Sequence, residues 1–155
     1  MPSNQMPLGA LPARFRRPRV LIAGCGDVGL RAARALTPRV HVLALVRQAA
    51  RAPALRALGI APLRGDLDHA ATLRRLAGLA THVIHLAPPP QTGEGDARTA
   101  ALLRALARRR PPRSLVYGST SGVYGDCAGA WIGETRSLNP QTARARRRAA
   151  AEAQV

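Results

Sequence analysis

Three glycines stand in a G-x-G-x-x-G spacing, Gly24-Cys25-Gly26-Asp27-Val28-Gly29, directly after a run of branched apolar residues. In that setting each glycine has a task in holding a dinucleotide. Gly24 permits a tight turn, Gly26 lets the backbone approach a pyrophosphate, and Gly29 lets the following helix pack close to the strand. The start of that helix, at Asp27 and Val28, offers unpaired N–H groups and a partial positive charge to phosphates. A merely structural turn is the alternative reading of the same residues. The next apolar run ends in Leu45-Val46-Arg47, with Arg51 one helical turn further on and no neighbouring acid in sequence. A carboxylate there would bond a ribose 2′-hydroxyl, whereas arginine accommodates a 2′-phosphate. The expected cofactor is therefore NADP, with NAD the alternative, since in so arginine-rich a chain a chance surface arginine competes with a functional one. Asp66, ending a third run, is placed equally well to contact an adenine or to cap a helix.

Composition narrows the remaining chemistry. All 24 basic residues of this 155-residue chain are arginine, against 8 acids, for a net charge of +16. Without lysine there is no P-loop lysine, no Schiff base and no Tyr/Lys catalytic dyad. Aromatic residues make up 3%, too few for a base-stacking surface. The clusters at Arg108–Arg110 and Arg144–Arg148 read as solvated helix faces, and a nucleic-acid partner is not expected. Cys25 and Cys127 lie far apart, which fits a reduced, cytoplasmic protein. They and His85 are expected near strand ends, but their spacing lacks the close pairing of a zinc site, so no metal is expected. No run approaches the ~20 apolar residues of a membrane span. Residues 1–18 carry four prolines and read as a disordered tail.

From Arg19 onward, short apolar runs alternate with segments of helical spacing. Strands are expected at 19–24, 39–46, 60–66, 81–87 and 113–119. Helices are expected at 27–36, with Val28, Ala32 and Ala35 facing inward, and at 51–58. Others are expected at 68–79, capped by Asp68, at 96–109, and at 139–154 after Pro140. His41 and His82 read as partly buried strand residues, His85 as a cleft-lining or satisfied strand-end residue, and Trp131 as packed beneath a glycine-rich loop. Five alternations argue for an α/β protein with a doubly wound parallel sheet.

The glycine loop, ALVR (44–47), GDL (65–67), VIHLAPP (83–89), YGSTSGVYGD (117–126) and GETRSLNPQTARARRR (133–148) resemble the NAD(P)-dependent epimerase/dehydratase family. That group is the extended or atypical branch of the short-chain dehydrogenase/reductases. The resemblance runs from Arg19 to the C-terminus. It implies a Rossmann fold of strand order 3-2-1-4-5, with Asp66, Leu67, Leu86 and Ala87 joining the cofactor contacts. It also implies action on a carbonyl or sugar-nucleotide substrate.

The active-site Ser/Thr of the family corresponds to Thr120. Its tyrosine and lysine, four and eight residues beyond Pro140, correspond to Arg144 and Arg148. Tyr124 remains a candidate acid if an arginine meets it in space. Residues 19–155 are thus expected to form a cofactor domain that is incomplete at its C-terminal side, the first portion of a longer enzyme. A non-catalytic, redox-sensing NAD(P)-binding module is the alternative.

Overall fold

Alternate side chains of a strand go to opposite faces, so a continuous apolar run signals a sheet covered on both sides. The computed structural model, which describes residues 17–155, shows that arrangement. The tail expected over 1–18 lies outside the described residues, save its last two positions. Five parallel strands, β1 (Arg19–Ala23), β2 (His41–Val46), β3 (Ala61–Arg64), β4 (His82–His85) and β5 (Ser114–Tyr117), pair in the order β3-β2-β1-β4-β5. The register sets Val20 beside both Val42 and His82, and Leu21 beside Leu43 and Val83.

One face of the sheet presents Leu21, Ala23, Leu43, Leu45 and Val83 to Leu73, Leu76 and helix α3 (Ala97–Ala107), whose Ala101, Leu102, Ala105 and Leu106 are buried. The other presents Val20, Ile22, Val42, Ala44 and Val46 to helix α1 (Asp27–Leu36) and to Leu55 of α2 (Ala52–Ala57). Both faces are dry, as apolar runs on parallel strands require. The last helix, α4 (Ala143–Glu152), packs against a 3₁₀ turn at Ser121–Tyr124.

Several local expectations are corrected. In α1 the inward face is Gly29 and Ala33, not Val28, Ala32 and Ala35, and Val28 stands 65% exposed. The helix lies so close that a Cβ on Gly29 would sit 2.7 Å from the Gly24 carbonyl oxygen and 3.3 Å from Ile22 Cγ2. Gly29 and Ala33 therefore make the close approach, with Leu30 and Leu36 packed at its margin and Val28 turned to solvent. The segment expected as a helix over 68–79 is a 3₁₀ turn at Ala70–Leu76, and Asp68 does not cap it. Thr72 instead accepts from the Asp66 N–H and donates toward the His69 carbonyl, giving the backbone a competitor to α-helical pairing. Trp131 is fully exposed rather than packed under its loop, and left-handed turns at Gly125, Ala128 and Gly129 lead the chain outward there. His41 is exposed at the first position of β2, while His82 is half-buried.

Candidate cofactor-binding site

β1 and β4 are neighbours at the middle of the sheet, where the strand order reverses, and open α/β sheets bind ligands beyond the carboxyl ends at such a point. The Ala23 carbonyl at the end of β1 accepts from both the Leu86 and Ala87 N–H groups, at 2.7 and 3.0 Å. That double bond holds the chain after β4 against the glycine loop. Gly24, at φ +94°, leaves no space there: a Cβ would lie 2.6 Å from the Leu86 carbonyl carbon. Gly26 is the reverse, since a Cβ would meet nothing within 4 Å. One glycine is required by the fold and one keeps a surface clear. That clearance, at the N-terminus of α1, fits a dinucleotide pyrophosphate.

Beside the loop, a cleft of about 260 Å³ is lined by Gly24, Leu45, Arg47, Asp66, Leu67 and Arg98 among others. It gathers the ends of β1, β2 and β3, and Leu67 lies on its wall. Asp66 also serves its own turn: Oδ1 accepts from the Asp68 N–H at 3.0 Å, and Oδ2 lies 3.3 Å from His69 Nδ1. Asp66 thus lines the cleft and braces its own turn, but it does not cap the following 3₁₀ turn, whose N-cap is His69. Arg51 donates from Nη2 to the Cys25 carbonyl at 2.8 Å, tying the segment after β2 to the glycine loop. Burial raises the Cys25 thiol pKa above its ordinary value, partly offset by the Arg51 charge. Asp27 faces solvent in an i,i+4 pair with Arg31.

Sequence spacing gave no sign of the pair that closes the cleft. Asp68 receives Nε and Nη2 of Arg98, both at 2.6 Å, across 30 positions of chain. The Arg98 guanidinium holds the Asp68 carboxyl below its ordinary pKa, and Arg47 adds to the effect. Arg98 also donates to the Pro88 carbonyl at 3.2 Å, fixing the proline loop over the crevice.

A second polar group lies behind the strand ends. His85 is fully buried, with Nε2 2.8 Å from Thr99 Oγ1, and that hydroxyl reaches Asp96 Oδ2 at 2.8 Å. Since the Thr99 hydroxyl donates to the carboxylate, it accepts from His85 Nε2–H, which leaves Nδ1 without its proton. Nδ1 is buried and lacks a hydrogen bond of good geometry, although the nearby Ala23 carbonyl favours the charged ring. Desolvation outweighs both that carbonyl and Asp96 and lowers the His85 pKa below 6.5. His85 is therefore a core residue beneath the cleft and lines neither cavity next to the glycine loop.

The Tyr117 ring packs 5.3 Å from His85, and Arg148 donates to its hydroxyl. Burial raises the Tyr117 pKa, and the Arg148 hydrogen bond lowers it by less. Thr120 caps the turn at Ser121–Tyr124, its exposed Oγ1 accepting from the Gly122 N–H at 3.4 Å. Tyr124 ends that turn half-buried. The arginine sought for Tyr124 goes to Tyr117 instead, and no arginine among the described residues hydrogen-bonds the Tyr124 hydroxyl. Nor is the cluster at Arg144–Arg148 a solvated face throughout: Arg147 and Arg148 are 8% and 6% exposed. Arg148 is drawn inward by two acceptors, the Tyr117 hydroxyl and the Gly118 carbonyl, and Arg147 by the Gly93 carbonyl.

A family model described as NAD dependent epimerase/dehydratase matches residues 20–155. The chain belongs to that epimerase/dehydratase family. Among solved structures, a functionally unknown conserved protein from Silicibacter pomeroyi is 33% identical, over 88% of this chain and 48% of that one, with TM-score 0.69. A Burkholderia cenocepacia J2315 protein, provisionally called an epimerase, is 27% identical over 88% of this chain and 49% of that one, with TM-score 0.72. UDP-N-acetylglucosamine 4-epimerase from Bacillus cereus shares the fold at 17% identity and TM-score 0.70, over 88% and 49%. No curated protein matches the sequence. The chain spans about half the length of these solved structures. The glycine loop, Thr120, Arg144 and Arg148 all lie within the part that matches the epimerase/dehydratase family.

Proposed function

We propose that this chain supplies the cofactor-binding part of an NADP-preferring oxidoreductase of the epimerase/dehydratase family, acting on a carbonyl or sugar-nucleotide substrate. The observation that carries the reading is the open surface over Gly26 beside a cleft lined by Arg47. The bound dinucleotide would supply hydride exchange with a carbon of the substrate. Gly26 and the first N–H groups of α1 hold its pyrophosphate, and Leu67, Leu86 and Ala87 its adenosine side. Arg47 meets the 2′-phosphate with a charge-assisted fork, while Arg51 steadies the loop through the Cys25 carbonyl. Asp68 lines the same cleft, but its charge is engaged by Arg98, so it does not oppose an added phosphate. Thr120 is an exposed hydroxyl suited to polarise a carbonyl.

A second reading, an NAD(P)-binding module without turnover, is favoured by one observation. Arg148, at the family's lysine position, is turned inward onto Tyr117 and the Gly118 carbonyl. Calorimetric titration with NADPH and NADH tests the shared premise, and NADPH is expected to bind more tightly. Binding of neither would overturn both readings.

A further inference from the structure

Next to the dinucleotide cleft lies a cavity of about 490 Å³ between the proline loop and α4. Pro88, Pro89, Pro90 and Gln91 form one wall, and Arg144 and Arg147 of α4 form the other. Arg47 and Arg98 stand on the border that it shares with the cleft. Four arginines line this space and no acidic residue does. Among the described residues only Arg98 of the four has an acidic partner, Asp68.

Arg147 decides what the space is for. It is 92% buried by the complement of its 8% exposure, donates from Nη1 to the Gly93 carbonyl at 3.0 Å, and leaves Nε buried without a partner. A buried charge is costly unless it meets an opposite one, and a neutral carbonyl offsets only part of that cost. The first turn of α4 adds its own partial positive charge beside Arg144. The nearest acid of the loop, Glu94, lines a separate groove with Arg146 and does not face this cavity.

We infer that the cavity is an anion subsite, apart from the cofactor's own phosphates, that takes the phosphoryl group of a small-molecule ligand. With Arg47 given to the cofactor and Arg98 paired with Asp68, a single carboxylate would still leave one of the two charges of Arg144 and Arg147 unanswered. A phosphoryl dianion answers both and offers the oxygen pairs that planar guanidinium forks match. The volume falls within the ~300–1,000 Å³ of small-molecule sites, so the cavity holds a phosphorylated compound as well as free phosphate. The inference rests on the cofactor reading only for its neighbour, since the arginines are there whether or not a dinucleotide binds.

The experiment titrates the 155-residue chain with inorganic phosphate by calorimetry at fixed ionic strength. It is run alone, with saturating NADH, and with saturating NADPH. Saturable phosphate binding that persists with both cofactors is expected. Arg144→Gln should weaken it by about tenfold or more, as loss of a charge-assisted contact does. Arg146→Gln, which removes the same charge one groove away, should leave it unchanged. Arg147→Gln should abolish it; if that variant does not fold, the Arg144/Arg146 contrast still decides. Equal loss in Arg144→Gln and Arg146→Gln would reduce the effect to overall charge and overturn the inference. So would phosphate binding that NADPH removes and NADH leaves, because the site would then be the cofactor's. Cofactor binding without phosphate binding would sink the subsite and spare the proposed function; the converse would do the opposite.

Discussion

Arg148 of α4 donates from Nη1 to the Tyr117 hydroxyl across 3.1 Å and lies over the same ring, its guanidinium carbon 5.4 Å from the centroid. A cation thus stands where the resemblance sets the family's lysine, but the tyrosine it meets comes from the end of β5. Burial keeps that phenol protonated at neutral pH, since its pKa is raised above 10. Arg144, which the resemblance sets at the family's tyrosine position, carries no phenol hydroxyl.

The first prediction follows from that substitution. The chain should bind NADPH and show no turnover with aldehydes, ketones or nucleotide sugars, followed by NADPH absorbance. Polarisation by Thr120 without a matched proton donor leaves hydride transfer incomplete. Clear turnover that disappears in Thr120→Ala or Tyr124→Phe would overturn this and restore Tyr124 as the acid.

Gly24 and Gly26 should fail in different ways. Gly26→Val places its side chain in open space, so thermal stability should hold while dinucleotide affinity falls by about a hundredfold or more. Gly24→Ala forces a Cβ into the backbone of Leu86 and Ala87 at a φ of +94°, and should lower stability by about 1–3 kcal/mol or more. Paired calorimetry and thermal melts separate the two; equal affinity of Gly26→Val and the parent would dismiss the site.

Arg47→Ala should remove most of the preference for NADPH over NADH, a loss of roughly tenfold to a hundredfold for NADPH alone. NADH affinity should barely change. Tighter NADH binding by the parent chain would reverse the cofactor assignment.

His85 gives a pH dependence with a definite sign. Its pKa is lowered in the fold below 6.5, so the unfolded chain takes up the proton first. Stability contributed by the neutral ring is complete above 6.5 and is lost as pH falls through the lower folded value. Urea midpoints taken between about pH 7.5 and about pH 5 should decline, and His85→Asn should flatten that decline. Asp68 has the same sign but acts below 3.8, outside this window. An unchanged slope in His85→Asn would exclude the ring as its source.

The five strands, the glycine loop and the bounds of α1 were legible because each rests on a local pattern, whereas the strand order came from the family resemblance. Five apolar runs, three spaced glycines and Thr37 before Pro38 do not depend on distant chain. The missed features depend on it. Nothing near Asp68 announces Arg98, thirty positions on, and nothing in a run of arginines says which of them turn inward. Composition suggested a solvated helix, whereas acceptors at Tyr117, Gly118 and Gly93 draw Arg148 and Arg147 under cover. The face of α1 was misread for a related reason. Counting apolar side chains favours Val28, but the absent side chain of Gly29 sets the approach.

The two N–H groups that converge on the Ala23 carbonyl fix the width of the mouth between β1 and β4. With this seam tied by the chain's own hydrogen bonds, little ordering should be spent there when a dinucleotide arrives. Differences between NADPH and NADH should then be written in how long each stays rather than how fast each enters. The stabilisation each confers on melting should likewise scale with affinity and concentration alone.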